Sequence, residues 1–155
     1  MPMTYSARFS AVTVAASTPQ DCFELVAPSD AAIELISCSL AQSSDAGDAE
    51  AEMLRVRIAR ASTSGSGGTT PNKNPHEVGF AASGATVEAN NTTQATVTLV
   101  MVADVFNAQA GWYYKPIPEE RVWLSPSGRL VVSLPTGPLD ELTMSGTITW
   151  AEYGG

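Results

Sequence analysis

Apolar and polar residues alternate along most of this chain, the spacing at which successive side chains of an extended strand face opposite ways. Tyr5, Ala7, Phe9 and Ala11 alternate with Ser6, Arg8 and Ser10, which predicts a half-buried strand over Tyr5–Ala11. Cys22–Val26 and Ile33–Leu40 read as further strands. In Met53–Ala59, Leu54, Val56 and Ile58 share one face while Arg55 and Arg57 share the other. The clearest run, Gln94–Val105, sets Ala95, Val97, Leu99, Met101, Ala103 and Val105 against Thr96, Thr98, Val100, Val102 and Asp104. The second set is apolar midway, so this strand is expected to be covered on both faces. Arg121–Leu124, Leu130–Leu134 and Leu142–Tyr153 bring the expected total to about eight strands.

The breaks are written in turn residues: Pro28-Ser29-Asp30, Asp45 to Asp48, Ser62 to Pro75, Ser125-Pro126-Ser127-Gly128 and Pro135-Thr136-Gly137-Pro138. Helical periodicity is weak throughout. Short strands with this punctuation predict an all-β fold, an antiparallel β-sandwich with the eight-strand count of a jelly roll. Its length fits a single domain, 1–155. One stretch, Ala61 to Thr93, is too long for a plain loop and is expected to hold a short helix or a projecting arm. Within it, Ser64-Gly65-Ser66-Gly67-Gly68 has linker composition. Ordering such a segment costs about 1–2 kcal/mol of backbone entropy per residue, which contact with neighbouring copies would offset.

Eight Lys and Arg against sixteen Asp and Glu give a formal net charge of −8, which disfavours a nucleic-acid partner. The longest apolar stretches fall far short of the roughly 20 residues of a membrane-crossing helix, so no membrane partner is expected. Met1 to Arg8 lacks a basic segment followed by an apolar core, which predicts synthesis in a cytoplasm. Cys22 and Cys38 make no disulfide framework and read as small buried apolar residues.

Candidate chemistry is sparse. His76 is the one histidine and sits between Pro75 and Glu77 without nearby zinc-type partners. No Gly-x-Ser-x-Gly elbow accompanies it. The run Asp45-Ala46-Gly47-Asp48-Ala49-Glu50-Ala51-Glu52 has oxygen ligands but not the order of a calcium loop, and reads as a solvated turn. Glu119 and Glu120 are neighbours that would point apart on a strand. Gly65 to Gly68 lacks the Lys and Ser or Thr of a phosphate loop. Asn90-Asn91-Thr92-Thr93 contains overlapping glycosylation sequons but reads as turn chemistry. The expectation is a protein that is not an enzyme, with no catalytic residues, cofactor, metal or small-molecule substrate. The most distinctive local feature is Trp112-Tyr113-Tyr114, because three adjacent large rings cannot all face one core. Exposed rings serve protein interfaces or stack on sugars, while rings folded down would lid one end of the sandwich.

From Ala95 onward the segments Phe106 to Trp112, Pro118 to Val122, Ser125 to Val132 and Leu142 to Thr147 resemble capsid decoration, or cement, proteins of tailed bacteriophages. Gly67 to Pro71 and Ala89 to Thr93 extend the resemblance. It implies a compact β-sandwich that trimerises at three-fold positions of the capsid exterior and clamps neighbouring major capsid subunits. The implied partners are the major capsid protein and further copies of this chain. The alternatives are a phage tail or fibre-tip domain, or a carbohydrate-binding module using Trp112, Tyr113 and Tyr114. Five arginines, Arg55, Arg57, Arg60, Arg121 and Arg129, carry most of the positive charge, and arginine suits bidentate pairs with carboxylates across interfaces. Arg55, Arg57, Trp112, Tyr113, Tyr114, Arg121 and Arg129 are therefore the interface candidates, with solvated strand faces as the other reading of the arginines.

Overall fold

A computed structural model of the chain describes residues 2–43 and 52–154. The long strands are β1 (Met3–Val14), β2 (Gln20–Val26), β3 (Ala31–Gln42), β4 (Met53–Ala61), β7 (Val97–Asn107), β10 (Arg129–Leu134) and β11 (Leu142–Gly154). Shorter pieces are β5 (Asn74–Pro75), β6 (Thr86–Asn91), β8 (Trp112–Tyr114), a 3-10 turn at Pro118–Glu120 and β9 (Trp123–Leu124). Two antiparallel sheets pack face to face. The first runs β5-β1-β11-β3-β8 with β9 also on β3, and the second runs β6-β2-β10-β4-β7.

Taking β8 and β9 as one interrupted strand, and setting aside the short β5 and β6, eight principal strands remain. Their placement, β1-β11-β3-β8/β9 over β2-β10-β4-β7, is jelly-roll connectivity. The alternating residues fill the space between: Tyr5, Leu35, Leu54, Ile58, Leu130, Met144 and Trp150 are essentially inaccessible. The Tyr5 and Trp150 rings stack 6.0 Å apart, and Phe9 tilts on Phe23 at 5.1 Å, joining the two sheets. Cys22 and Cys38 are buried free thiols, and burial pushes the Cys22 thiol up to about 12.

Two expectations are corrected. β7 is not covered on both faces: it ends the second sheet, pairs with β4 alone, and leaves Leu99, Val100 and Val105 exposed. Two register shifts against β4, at Ile58/Ala59 and Arg60/Ala61, also break the simple alternation. Met101 and Val102 consequently both lean on the main core, while Val97 joins a small outer cluster with Ala59, Ala95 and Val131. The long stretch 61–93 holds no helix. It carries β5 and β6, which extend one edge of each sheet. Arg121 and Val122 precede β9 rather than belonging to it. The acidic run 45–51 lies outside the described residues.

Gly146 on β11 faces Phe9 of β1 and Leu40 of β3, its register partners. A Cβ there would stand 2.8 Å from Phe9 Cε1 and 2.9 Å from Leu40 Cδ2. Gly146→Ala should therefore destabilise the fold by about 1–3 kcal/mol through overpacking. The readout is the denaturant midpoint, and an unchanged midpoint would mean that the three strands are not pressed together at this point.

Candidate interaction surfaces

β2 is buried almost throughout, on both faces: Gln20 to Leu25 are all inaccessible, as are Leu130 to Leu134 of β10 beside it. Its core face carries Cys22 and the Phe23 ring region, and its outer polar residues are roofed by the 62–96 segment. The Glu24 carboxylate organises that roof. Its Oε1 accepts from Ser64 Oγ at 2.7 Å and pairs with Arg129 Nε at 2.8 Å. Its Oε2 accepts from the Gly65 amide at 2.8 Å and from Asn91 Nδ2 at 3.3 Å. A buried carboxylate is tolerable only when its lone pairs are filled in this way.

The glycines are there for close approach. A Cβ on Gly68 would lie 2.2 Å from the Ala89 carbonyl, one on Gly65 would lie 2.6 Å from the Thr93 carbonyl, and Gly67 has φ +87°. Backbone bridges Ser66–Thr93 and Thr69–Ala89 follow. The linker-like segment is thus fastened to its own chain at several points. Asn90, at φ +60°, closes β6, and its Oδ1 accepts from Gln20 Nε2 at 2.8 Å.

A second carboxylate, Glu152, fastens the far end of the same segment. Its Oε1 accepts from Ser83 Oγ, from the Ala85 amide at 3.2 Å and from Trp150 Nε1 at 3.1 Å. Its Oε2 accepts from the Gly84 amide at 3.2 Å. Lys73 Nζ donates to the carbonyls of Ser83 and Ala85, and Tyr5 Oη to that of Ala81. His76 is exposed, with its amide bonded to the Thr4 carbonyl. Among the described residues no group of three His, Cys, Asp or Glu side chains could hold a metal ion.

The seven candidate residues separate into inner and outer groups. Arg129 is committed to Glu24, and Arg121 Nη1 pairs with Glu34 Oε1 at 3.1 Å. Glu34 also accepts from Tyr153 Oη, and this hydrogen bond, then burial, push the Tyr153 phenol up. Both arginines are thus held by carboxylates of their own chain, with their side chains partly exposed. Arg57 Nε donates to Ser133 Oγ at 2.9 Å. Arg55 is exposed and makes no hydrogen bond or ion pair among the described residues.

The ring cluster divides by strand alternation. Trp112 and Tyr114 face inward and stack at 6.0 Å, with Trp112 Nε1 donating to Asp104 Oδ2 at 3.1 Å. Tyr113 faces out and is 65 % exposed. Trp112 is thus unavailable as an interface anchor or a sugar platform, since it is buried. Sequence reasoning passed over Trp123, which is 44 % exposed and tilts on Tyr153 at 4.8 Å. With Tyr113 and Ile117 it makes an exposed apolar area along the β8–β9 side of the first sheet. A second such area surrounds β7 on the other sheet: Met53, Leu99, Val100 and Val105.

Glu24→Gln should loosen the roof selectively. Amides of the Gly65 to Thr69 strip are expected to exchange with solvent faster, with a stability loss of about 1–3 kcal/mol from the unbalanced hydrogen bonds. Uniform acceleration over all strands would contradict a local role.

Asp21 gives a pH test. Burial raises its carboxyl above the ordinary value, against the Ala95 amide and Gln94 side chain that lower it. The native state then holds this proton more tightly than the unfolded chain. The stability Asp21 contributes is greatest below the unfolded carboxylate value and is lost as pH rises through the native one. Asp21→Asn should accordingly gain on the parent protein in urea unfolding as pH rises from below the ordinary carboxylate value through the raised native one. A difference independent of pH would contradict the raised native value.

No family model, curated protein or solved structure matches this chain.

Proposed function

We propose that the protein is a virion structural protein that decorates the outside of a tailed-phage capsid and clamps neighbouring major capsid subunits, as a homotrimer at three-fold positions. The observation that carries this reading is the division of exposed apolar side chains into two areas on different sheets, Tyr113, Ile117 and Trp123 on one and Met53, Leu99, Val100 and Val105 on the other. Exposed large apolar side chains on both sheets suit contact with other macromolecules, and a clamp must touch more than one neighbour. The sequence resemblance to decoration proteins points the same way, and two of its segments adjoin these areas: Phe106 to Trp112 leads from β7 into β8, and Pro118 to Val122 leads into β9. The acidic net charge of −8 suits a surface facing away from packaged DNA.

The deciding experiment is cosedimentation with assembled empty capsids, together with light scattering of the free protein. Binding to shells, and a solution mass of three times the 16.2 kDa chain, are expected. Tyr113→Ala should weaken shell binding by about tenfold or more if the ring is an interface anchor. Failure to sediment with shells would overturn the reading. Association with tail fractions would favour a tail or fibre-tip domain. Retention on polysaccharide that Tyr113→Ala abolishes would favour a carbohydrate-binding module.

A further inference from the structure

We infer that the free edge of β7 accepts an added β-strand from another protein, an extended segment in which apolar and carboxylate side chains alternate. β7 spans Val97–Asn107 and, among the described residues, is paired along one side only. The other sheet ends are short or occupied. β5, β8 and β9 run two, three and two residues, and β6 is bridged by Thr69 at Ala89. An open edge is normally defended by lysine, proline or inward-pointing charge. Val97–Asn107 contains no Lys, Arg or Pro. The one inward-pointing charge, Asp104, is taken up by Trp112 Nε1 and its neighbour's amide, and Val97–Ala103 carries no such defence. Leu99, Val100 and Val105 are 56 %, 45 % and 51 % exposed, so side chains as well as backbone await cover. Strand addition supplies both, through main-chain hydrogen bonds and pockets for alternate side chains.

The outer face beside this edge selects the occupant. A groove of about 290 Å3 runs over β4 and β7, lined by Val56, Val100, Ala103, Asp104, Val105 and Pro135 and flanked by Arg55 and Arg57, so two cations stand beside one carboxylate that Trp112 already holds. Ala103 lies opposite Arg57 and Val105 opposite Arg55, so Ala103 leaves the arginine side low and open. Neighbouring strands stand about 4.8 Å apart, which places an added strand about 9.6 Å from β4. That is within the combined reach of an arginine and a glutamate side chain. Arg55 has no partner among the described residues, and a carboxylate on the outward face of the added strand would supply one. A second copy fits poorly. The only carboxylate in β7, Asp104, is bonded to Trp112 Nε1, so pairing β7 with another β7 would leave Arg55 uncompensated.

The test uses the whole protein and two end-blocked peptides, Thr-Val-Glu-Val-Glu-Val-Thr and its counterpart with lysine in place of glutamate. Amide exchange is followed along β7. The acidic peptide should slow the amides on the side turned away from β4, and bind about tenfold or more tightly than the basic one. Arg55→Ala, at an exposed position, should erase that preference while the strand still folds and pairs. No slowing of β7 amides at millimolar acidic peptide would overturn the inference. So would slowing that depends on protein concentration alone, which would make a second copy the occupant. The experiment uses no capsid, so its outcome is separate from that of shell binding.

Discussion

Glu24 sets the terms for the outer face of this sandwich. A carboxylate in the middle of β2 would ordinarily face water, yet here it is 2 % exposed because the 62–96 segment crosses over it. The segment has few side chains large enough to bind by apolar burial, and its glycines bring backbone down where a Cβ would collide with the Ala89 and Thr93 carbonyls. What holds it is the set of donors converging on Glu24, with Arg129 balancing the charge. The same covering seals Ala59, Ala95 and Val131 into a small second cluster, so a polar anchor makes apolar burial possible behind it.

The arginines follow from the same logic. Those whose backbone position sits beside a buried carboxylate are drawn inward, as Arg129 is to Glu24 and Arg121 to Glu34. Those on the outward face of β4, with no acid across the strand, stay at the surface. Opposite Arg55 and Arg57 the β7 residues are Val105 and Ala103, which offer neither charge nor hydrogen bond. The internal and external roles of one residue type are thus decided by the register partner, which lies far away in sequence.

The elements legible in the sequence are those in which every second residue is large and apolar. Leu54, Val56 and Ile58 against Arg55 and Arg57, and Leu142, Met144, Ile148 and Trp150 in β11, define their own inner faces. β6 was missed because its inward residues, Val87 and Ala89, are too small to stand out. The exposure of β7 was equally hidden: a strand apolar on both faces reads as central, and only pairing shows that it is the last in its sheet. For the surfaces, the adjacency of three large rings in Trp112-Tyr113-Tyr114 was enough to expect one outside, but not to say which. The commitments of Arg121 and Arg129 depended on Glu34 and Glu24, partners on other strands that no local pattern reveals.

The connectivity has a consequence for how the chain reaches this state. Of the eight principal strands, successive ones go to opposite sheets except β4 and β7, and those two are separated by the whole roofing segment. No tight hairpin is therefore available among them as a local seed, and nearly every pairing must close a long loop before it gains anything. Chains dominated by such distant pairings acquire structure late and together, on a timescale of about milliseconds to seconds. Because β7 must meet β4 while its other side stays bare, the moments before closure are when the chain is most open to joining a wrong neighbour.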